Sequence, residues 1–551
     1  MFYPPNFPKQ DEAVLKKIVF DLINREDNIK TRNNLEQQIK QLIKKYNYPK
    51  QPKLWTLYFT YLRHFKDHKI SQHLIDLLKV VKIRSLSGVV PLSVFTKPDN
   101  SCPYNCVYCP IADNAPKSYF PDEAAVRRAI SHNYDPFEQT SGRLIQFYLS
   151  GHNINKVDVI IQGGTFSFYP KNYRQNFVKR IFDACNCDWE ALIIHGKHKD
   201  LDQTSPDLIT AQTMNETAKS RVIGITIETR PDFITQDEIK FLRQLGVTEV
   251  ELGVQTTDEA TLRLIKRGHR LKDVYQATYL LKEAGFKVTY HLMPGLPGST
   301  VESDIKMLEK VFSDNRLKPD AIKFYPTQIV YNSQLLDWYK NNKYKPITES
   351  ELTKIVLEFK KRIVPEWLRI HRLVRDLTKN DIAVPTFPSN YRQNLEKVLK
   401  KQGVNCPCIR CREIKANKPK LPLKLKNIKY SSAKGIEYFL QFVDSENKIL
   451  GFLRLRIPHY TTIKQNFFIK DLNNSALIRQ LHIYGKAEQF GTKGQTQHLG
   501  LGRKLVFKAI SIAKRHKCKN ITVISGVGVR NYYKKLGFKL ENNTGYMIRS
   551  L

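Results

Sequence analysis

Long apolar runs are missing from this sequence. No stretch approaches the roughly 18 consecutive apolar residues that a membrane-crossing helix requires, so no span is expected. Met1-Phe2-Tyr3-Pro4-Pro5 lacks a basic segment leading into an apolar one, so no export signal is expected and the expected placement is cytoplasmic. Acidic residues are scarce beside basic ones: 52 Asp+Glu face 90 Lys+Arg, a formal net charge of +38. That excess argues for a polyanionic partner, because each phosphate neutralised releases condensed counterions. A lysine-rich proteome yields the same imbalance, and both causes can act together. Cysteine is rare, nine in 551 residues, yet it is clustered. Three cysteines fall at 102–109, two at 185–187 and three at 406–411, with Cys518 alone. Tight clusters in a large chain without export features read as metal ligands, not disulfides. Cys185 and Cys187 have no clear partners and read as ordinary thiols.

At roughly 100–200 residues per domain, the length predicts two to four domains. Residues 1–85 are charged and helical in pattern, as in Asp11 to Ile23 and Asn34 to Tyr46, with Ile39, Leu42 and Ile43 at helical spacing. Tyr58, Tyr61, His64 and Phe65 stand among the cations, so the segment reads either as a solvated helical bundle or as a basic, nucleic-acid-binding face. Residues 86–400 alternate apolar strands (Val89 to Phe95, Val157 to Gln162, Val222 to Glu228, Val247 to Val254, Lys287 to Leu292, Ala321 to Tyr325) with helices such as Thr235 to Leu245, Leu271 to Ala284 and Ser303 to Phe312. This predicts βαβ units and a parallel sheet, a full or partial (βα) barrel with its active site at the strands' C-terminal ends. Residues 401–429 form a cysteine-rich linker, basic and proline-containing from Lys415 to Lys429. Residues 430–551 read strand, strand, strand, helix, strand, helix, strand, an α+β domain.

Cys102, Cys106 and Cys109 are spaced C-x3-C-x2-C after the first strand. Three thiolates hold three corners of a [4Fe–4S] cube and leave one iron open to an amino acid's amino and carboxylate groups. A three-thiolate zinc site completed by a histidine is the alternative. Strand-end motifs follow in series: Gln162-Gly163-Gly164-Thr165-Phe166, whose glycines admit close backbone approach; Glu228-Thr229-Arg230-Pro231-Asp232; Glu251-Leu252-Gly253-Val254-Gln255; and His291-Leu292-Met293-Pro294-Gly295. Cys406, Cys408 and Cys411, spaced C-x-C-x2-C, suit a closed zinc site, with His371 as candidate fourth ligand. In the last domain Gln497-His498-Leu499-Gly500-Leu501-Gly502 opens a helix whose backbone N–H groups would hold a pyrophosphate. Asn531-Tyr532-Tyr533-Lys534 follows the next strand, Ile521 to Val527.

The cysteine spacing with Tyr108 resembles the radical S-adenosylmethionine enzymes, and Q-x-x-G-x-G resembles GNAT acetyltransferases. The two in this order are similar to the Elongator complex protein 3 family. Tyr134-Asp135-Pro136-Phe137, Cys406 to Glu413, Arg479 to Gly485 and Val523 to Gly528 share in that resemblance, which covers roughly residues 86–551. It implies 5-carboxymethylation of the wobble uridine of tRNA from acetyl-CoA by S-adenosylmethionine radical chemistry, with accessory subunits of Elongator type as further partners. It implies cofactor contacts at Gly163, Gly164, Thr165, Glu228, Arg230, Gln255, Gln497, Gly500, Gly502 and Tyr532. Tyr532, His482 and Tyr484 are its candidate catalytic residues. One departure is Gln480, where the family usually carries a glutamate. A protein lysine acetyltransferase with a structural cluster is the alternative, weakened by that glutamine.

Overall fold

A computed structural model describes residues 9–68, 71–79, 88–98, 102–195, 204–375, 377–385, 387–388, 390–415, 417–485, 500–541 and 544–551. Four helices come first: Lys9–Asn24, Arg32–Lys45, Leu54–His64 and Gln72–Leu78. Thr31 caps the second through the Asn34 N–H, and Ser71 caps the fourth through the Leu74 N–H. Leu15, Ile18, Leu22, Leu35, Ile39, Leu42 and Leu57 bury their side chains in one core. Tyr58 and Tyr61 are buried in it too, so these two aromatics belong to the packing of the helical bundle. They lie three apart on the inward side of their helix, which packs against the helix Trp189–His195. His64 is turned to Glu12, its Nε2 2.8 Å from the carboxylate.

Nine strands follow: β1 Val90–Phe95, β2 Lys156–Gln162, β3 Arg221–Thr229, β4 Glu249–Gln255, β5 Lys287–Leu292, β6 Ala321–Phe324, β7 Ile329–Val330, β8 Arg369–Arg372 and β9 Ile382–Val384. Seven make one sheet in the order β1-β2-β3-β4-β5-β6-β8, every neighbouring pair parallel. With β1 and β8 as edges the barrel is partial. Val157, Val159, Ile161, Ile225, Ile227, Val250, Leu252, Val288, Tyr290 and Ile322 pack into the core shared with the surrounding helices. The alternate positions carry Asp158, Thr226, Glu228, Glu249, Glu251, Thr289, His291 and Lys323, so this barrel is polar where most such interiors hold branched apolar residues.

The last domain has strands β10 Lys424–Ser432, β11 Gly435–Val443, β12 Ile449–Ile457, β13 Ser475–Ile483, β14 Asn520–Val523, β15 Lys539–Leu540 and β16 Met547–Ser550. Their order is β10-β11-β12-β13-β14-β16-β15, with β13 and β14 parallel. Four strands, not three, precede the long helix Leu501–Arg515, and two follow the short helix Arg530–Lys534. β10 begins at Lys424, inside the stretch read as linker. It is an edge strand whose lysines disguise its period, and only the partly buried Ile428 and Tyr430 and the buried Ser432 mark its inner face. Tyr430 stacks on Trp367 with ring centroids 4.0 Å apart.

The domain seats on the N-terminal ends of the barrel strands through buried ion pairs. Arg479 on β13 donates to Asp320, just ahead of β6, at 2.6 and 2.8 Å, and to Glu437 at 3.0 Å. Arg456 donates to Glu283 at 2.6 Å and to Glu437 at 2.8 Å. Arg479, Arg456, Asp320, Glu283 and Glu437 are all buried. The cysteine loop lies at the opposite, C-terminal ends of the strands.

Candidate functional site

The loop after β1 presents Cys106 buried and Cys102 and Cys109 partly so. Lys117 braces it, its Nζ donating to the carbonyls of Cys102 at 3.1 Å and Tyr104 at 2.7 Å and to Asn105 Oδ1 at 2.9 Å. Arg267 reaches in from the segment after the helix Glu259–Leu264. Its Nη1 donates to Cys106 Sγ at 3.6 Å and its Nη2 to the Gly253 carbonyl at 2.7 Å. Burial pushes the Cys109 thiol up to about 12, and the neighbouring Cys106 and Cys102 add to that rise. Ionising Cys109 here therefore calls for nearby cationic charge, which Lys117 and Arg267 supply in part.

Spacing separates the two cysteine triads. Cys406, Cys408 and Cys411 bring their sulfurs within 4.8 Å of one another. That suits a single metal ion, since Zn–S bonds of about 2.3 Å in a tetrahedron set sulfurs about 3.8 Å apart. Among the described residues, Cys102, Cys106 and Cys109 form no such compact group, as thiolates spread over the corners of a cube do not. His371 does not join the second triad either. It stands on β8 with Nε2 3.9 Å from Glu249 Oε1, on the polar side of the barrel sheet. Cys185 is buried and Cys187 partly so, and neither belongs to a metal-type group among the described residues.

The strand ends form a cradle beside the first triad. Gly163 and Gly164 take φ of +135° and +90°, and a Cβ on Gly163 would land on the Thr96 hydroxyl. Thr165 is buried next to them. Arg230 lies over the Tyr104 ring at 3.6 Å and pairs with Asp232 at 3.0 Å. Gln255 is held at φ +69°, a strained conformation that aims a side chain. Thr229 Oγ1, Arg230 Nη1 and Gln255 Oε1 are buried with no partner among the described residues. Buried polar atoms are rarely left so, and this set fits a polar cofactor resting against the strand ends. Glu228 accepts from Tyr119 Oη at 2.5 Å. One step along the sheet, Glu251 meets His291 Nε2 at 2.8 Å and bonds the Lys323 ammonium.

In the last domain the left-handed Gly500, φ +70°, starts the helix Leu501–Arg515. A Cβ on Gly502 would stand 2.9 Å from Tyr532 Oη and 3.7 Å from Ile483, so helix start, tyrosine and β13 converge. Gln497 lies outside the described residues. His482 and Tyr484 sit together at the end of β13, ring centroids 4.4 Å apart. Tyr484 Oη accepts from Arg369 Nη1 at 2.7 Å. Burial, with the Arg369 charge adding, pulls the His482 imidazole down to about 3, so it is neutral at ordinary pH. Gln480 accepts from Arg454 Nε at 3.0 Å, which ties it to the seam with the barrel.

Comparison with known proteins agrees with this geometry. Residues 97–311 match the Radical SAM superfamily, 319–401 the radical SAM C-terminal domain and 411–538 the acetyltransferase (GNAT) family. A tRNA uridine(34) acetyltransferase of Methanocaldococcus jannaschii is 39% identical over 485 residues, covering 85% of each chain. Human Elongator complex protein 3 is 33% identical over 498 residues, covering 87% of each. The solved structure of Methanocaldococcus infernus Elp3 with an N-terminal deletion superposes with a TM-score of 0.71 at 35% identity, covering 84% of this chain and 99% of that one. The chain belongs to the Elongator complex protein 3 family.

Membership brings a [4Fe–4S] cluster and S-adenosylmethionine to the radical domain and acetyl-CoA to the GNAT domain. For this member of the Elongator complex protein 3 family, the structure gathers Gly163, Gly164, Thr165, Glu228, Arg230 and Gln255 near the first triad, and Gly500, Gly502 and Tyr532 at the other centre. Sequence reasoning missed Arg267, Tyr104, Tyr119 and Lys323. Arg267 follows Lys266 in an ordinary basic run, and nothing in the spacing ties it to a cysteine 161 residues earlier.

Proposed function

We propose that this chain is a tRNA carboxymethyluridine synthase that builds 5-carboxymethyluridine at the wobble position from acetyl-CoA. The observation that carries the reading is the pairing of two centres on one rigidly seated framework. A cysteine loop stands beside orphaned polar atoms, and a helix start of CoA-binding type is clasped by Tyr532. Bound at Cys102, Cys106 and Cys109, the cluster with S-adenosylmethionine supplies a radical able to take hydrogen from an unactivated methyl group, which no side-chain acid or base can do. The chain's own groups do the rest. Arg267 offsets thiolate charge at Cys106, Gly163 and Gly164 let the backbone approach the cofactor, and Glu228, Arg230 and Gln255 orient it. The N–H groups of Leu501 and Gly502 at the helix start would hold the pyrophosphate of CoA, with Tyr532 beside Gly502. His482 and Tyr484, paired at the end of β13, would face the acyl group without adding charge.

tRNA is the partner that the excess of 38 positive charges suits. The relatives' names extend the reading to a wobble-uridine substrate and to accessory subunits of Elongator type. Cys406, Cys408 and Cys411 take structural zinc, with a fourth ligand other than His371. The tRNA substrate of this reading puts its action in the cytoplasm; no helix among the described residues is long and apolar enough to cross a membrane. The rival lysine acetyltransferase finds no base in Gln480, whose amide is engaged by Arg454. The test is mass spectrometry of tRNA incubated with the anaerobically reconstituted chain, S-adenosylmethionine, a reductant and acetyl-CoA carrying a heavy methyl carbon. The label is expected in the C5 substituent of the wobble uridine. Label on protein lysines alone, or on no nucleoside, overturns the reading.

A further inference from the structure

We propose that Lys323 is a built-in cation that positions Glu228 toward the cofactor and keeps a metal ion out of the carboxylates beside it. The proposal rests on the cofactor role given to Glu228 above. Glu228, Glu251 and His291 each bring one ligand atom to within 4.8 Å of the others. Two carboxylates and an imidazole so placed are an ordinary set for a divalent ion. Here an ammonium reaches the set instead. Lys323 stands opposite His291 in the β5–β6 register, at the height of the strand ends. Its Nζ bonds Glu251 Oε2 and lies 3.5 Å from Glu228 Oε1. His291 Nε2 reaches the same Glu251 oxygen at 2.8 Å, and Tyr119 Oη donates to the other Glu228 oxygen at 2.5 Å.

Each oxygen of Glu228 thus faces a fixed partner, the tyrosine on one side and the lysine on the other. The carboxylate cannot swing without losing one of them. Glu228 and Glu251 are 6% and 3% exposed, and two such charges side by side need a counter-charge. One ammonium on a strand serves both with a reach set by the backbone. A divalent ion in its place would draw the Glu228 oxygens inward as ligands and take the carboxylate from the cofactor. Lys323 is therefore a positioning residue that acts through Glu228.

The experiment is a double-mutant cycle on the full chain with its cluster rebuilt anaerobically, read by equilibrium binding of S-adenosylmethionine. Lys323→Met is expected to weaken binding about tenfold in the native background but less than about twofold in Glu228→Gln, since a residue acting through another has nothing left to lose. Lys323→Arg, which keeps the charge, is expected to recover most of the loss. Lys323→Gln replaces the methionine variant if that variant does not fold. Unchanged affinity, or additive losses, overturns the positioning role. The second arm uses cluster-free chain and Mn2+, which favours carboxylate over thiolate ligands. Lys323→Ala is expected to bind Mn2+ by electron paramagnetic resonance where the native chain does not, and equal binding by both, or by neither, overturns the exclusion. A native chain that binds no S-adenosylmethionine refutes the synthase reading instead, and the Mn2+ arm still decides what Lys323 does.

Discussion

Two glycines of the CoA-type signature answer to different forces. Gly500 sits at φ +70° with nothing among the described residues within 4 Å of a would-be Cβ, so backbone conformation is the constraint seen there. Gly500→Ala is expected to cost about 1–2 kcal/mol of stability through left-handed strain and to leave acetyl-CoA affinity within about threefold. Gly502 lies in helical backbone, but its Cβ would meet Tyr532 Oη at 2.9 Å. Gly502→Ala is expected to leave thermal stability nearly unchanged while weakening acetyl-CoA binding about tenfold, because the tyrosine must leave its place. Calorimetric titration of both variants separates the cases, and equal losses would break the distinction. The sequence made these glycines legible because both fall in a local pattern. It hid Arg267, Tyr119 and Lys323, whose roles depend on partners 161, 109 and 72 residues away.

Strands of the barrel were readable because the helix-covered face puts an apolar residue at every second position, and Lys287–Leu292 agrees with its expected bounds to the residue. β10 was not, because an exposed edge strand rich in lysine carries almost no period. The segment Val523 to Gly528 was legible as a family feature but not as a contact. Its glycines are needed because the loop after β14 runs against barrel strand β3. A Cβ on Gly526 would overlap the Ile223 carbonyl, and one on Gly528 would press on Arg221. Backbone on one side cannot rotate away as a side chain can. Gly526→Ala is expected to lower stability by about 1–3 kcal/mol, an overpacking cost, with the cluster-bearing loop unaffected. Thermal unfolding together with iron content per chain reads both effects, and an unperturbed melting temperature would show that the seam yields there.

At the scale of the molecule, two centres lie at opposite ends of one parallel sheet, and the buried seam fixes their relation. Composition announces the charges of that seam but not their burial. Arg479, Arg456, Asp320, Glu283 and Glu437 look in sequence like any solvated residues, and only the docking of two domains removes them from water. Arg479→Met leaves Asp320 and Glu437 short of a partner and is expected to cost about 3–5 kcal/mol. Lys282 adds a pH dependence. Its Nζ is buried in the seam, donating to the Lys318 carbonyl at 2.6 Å and to Ser432 Oγ at 2.8 Å. Burial pulls its ammonium down to about 7, with Asp320 and Glu437 opposing the drop and Arg479 and Arg456 adding to it. An unfolded lysine keeps its proton to about pH 10.4. Between those values the unfolded chain binds the extra proton, so raising the pH favours the folded seam. The native chain is therefore expected to gain stability relative to Lys282→Met as pH rises from about 7 toward 10, with no relative slope from this residue below about 7. Melting temperatures of the two proteins across that range decide it: parallel curves would mean that Lys282 keeps its proton in the fold, and that the acids of the seam, not the loss of water, set its charge.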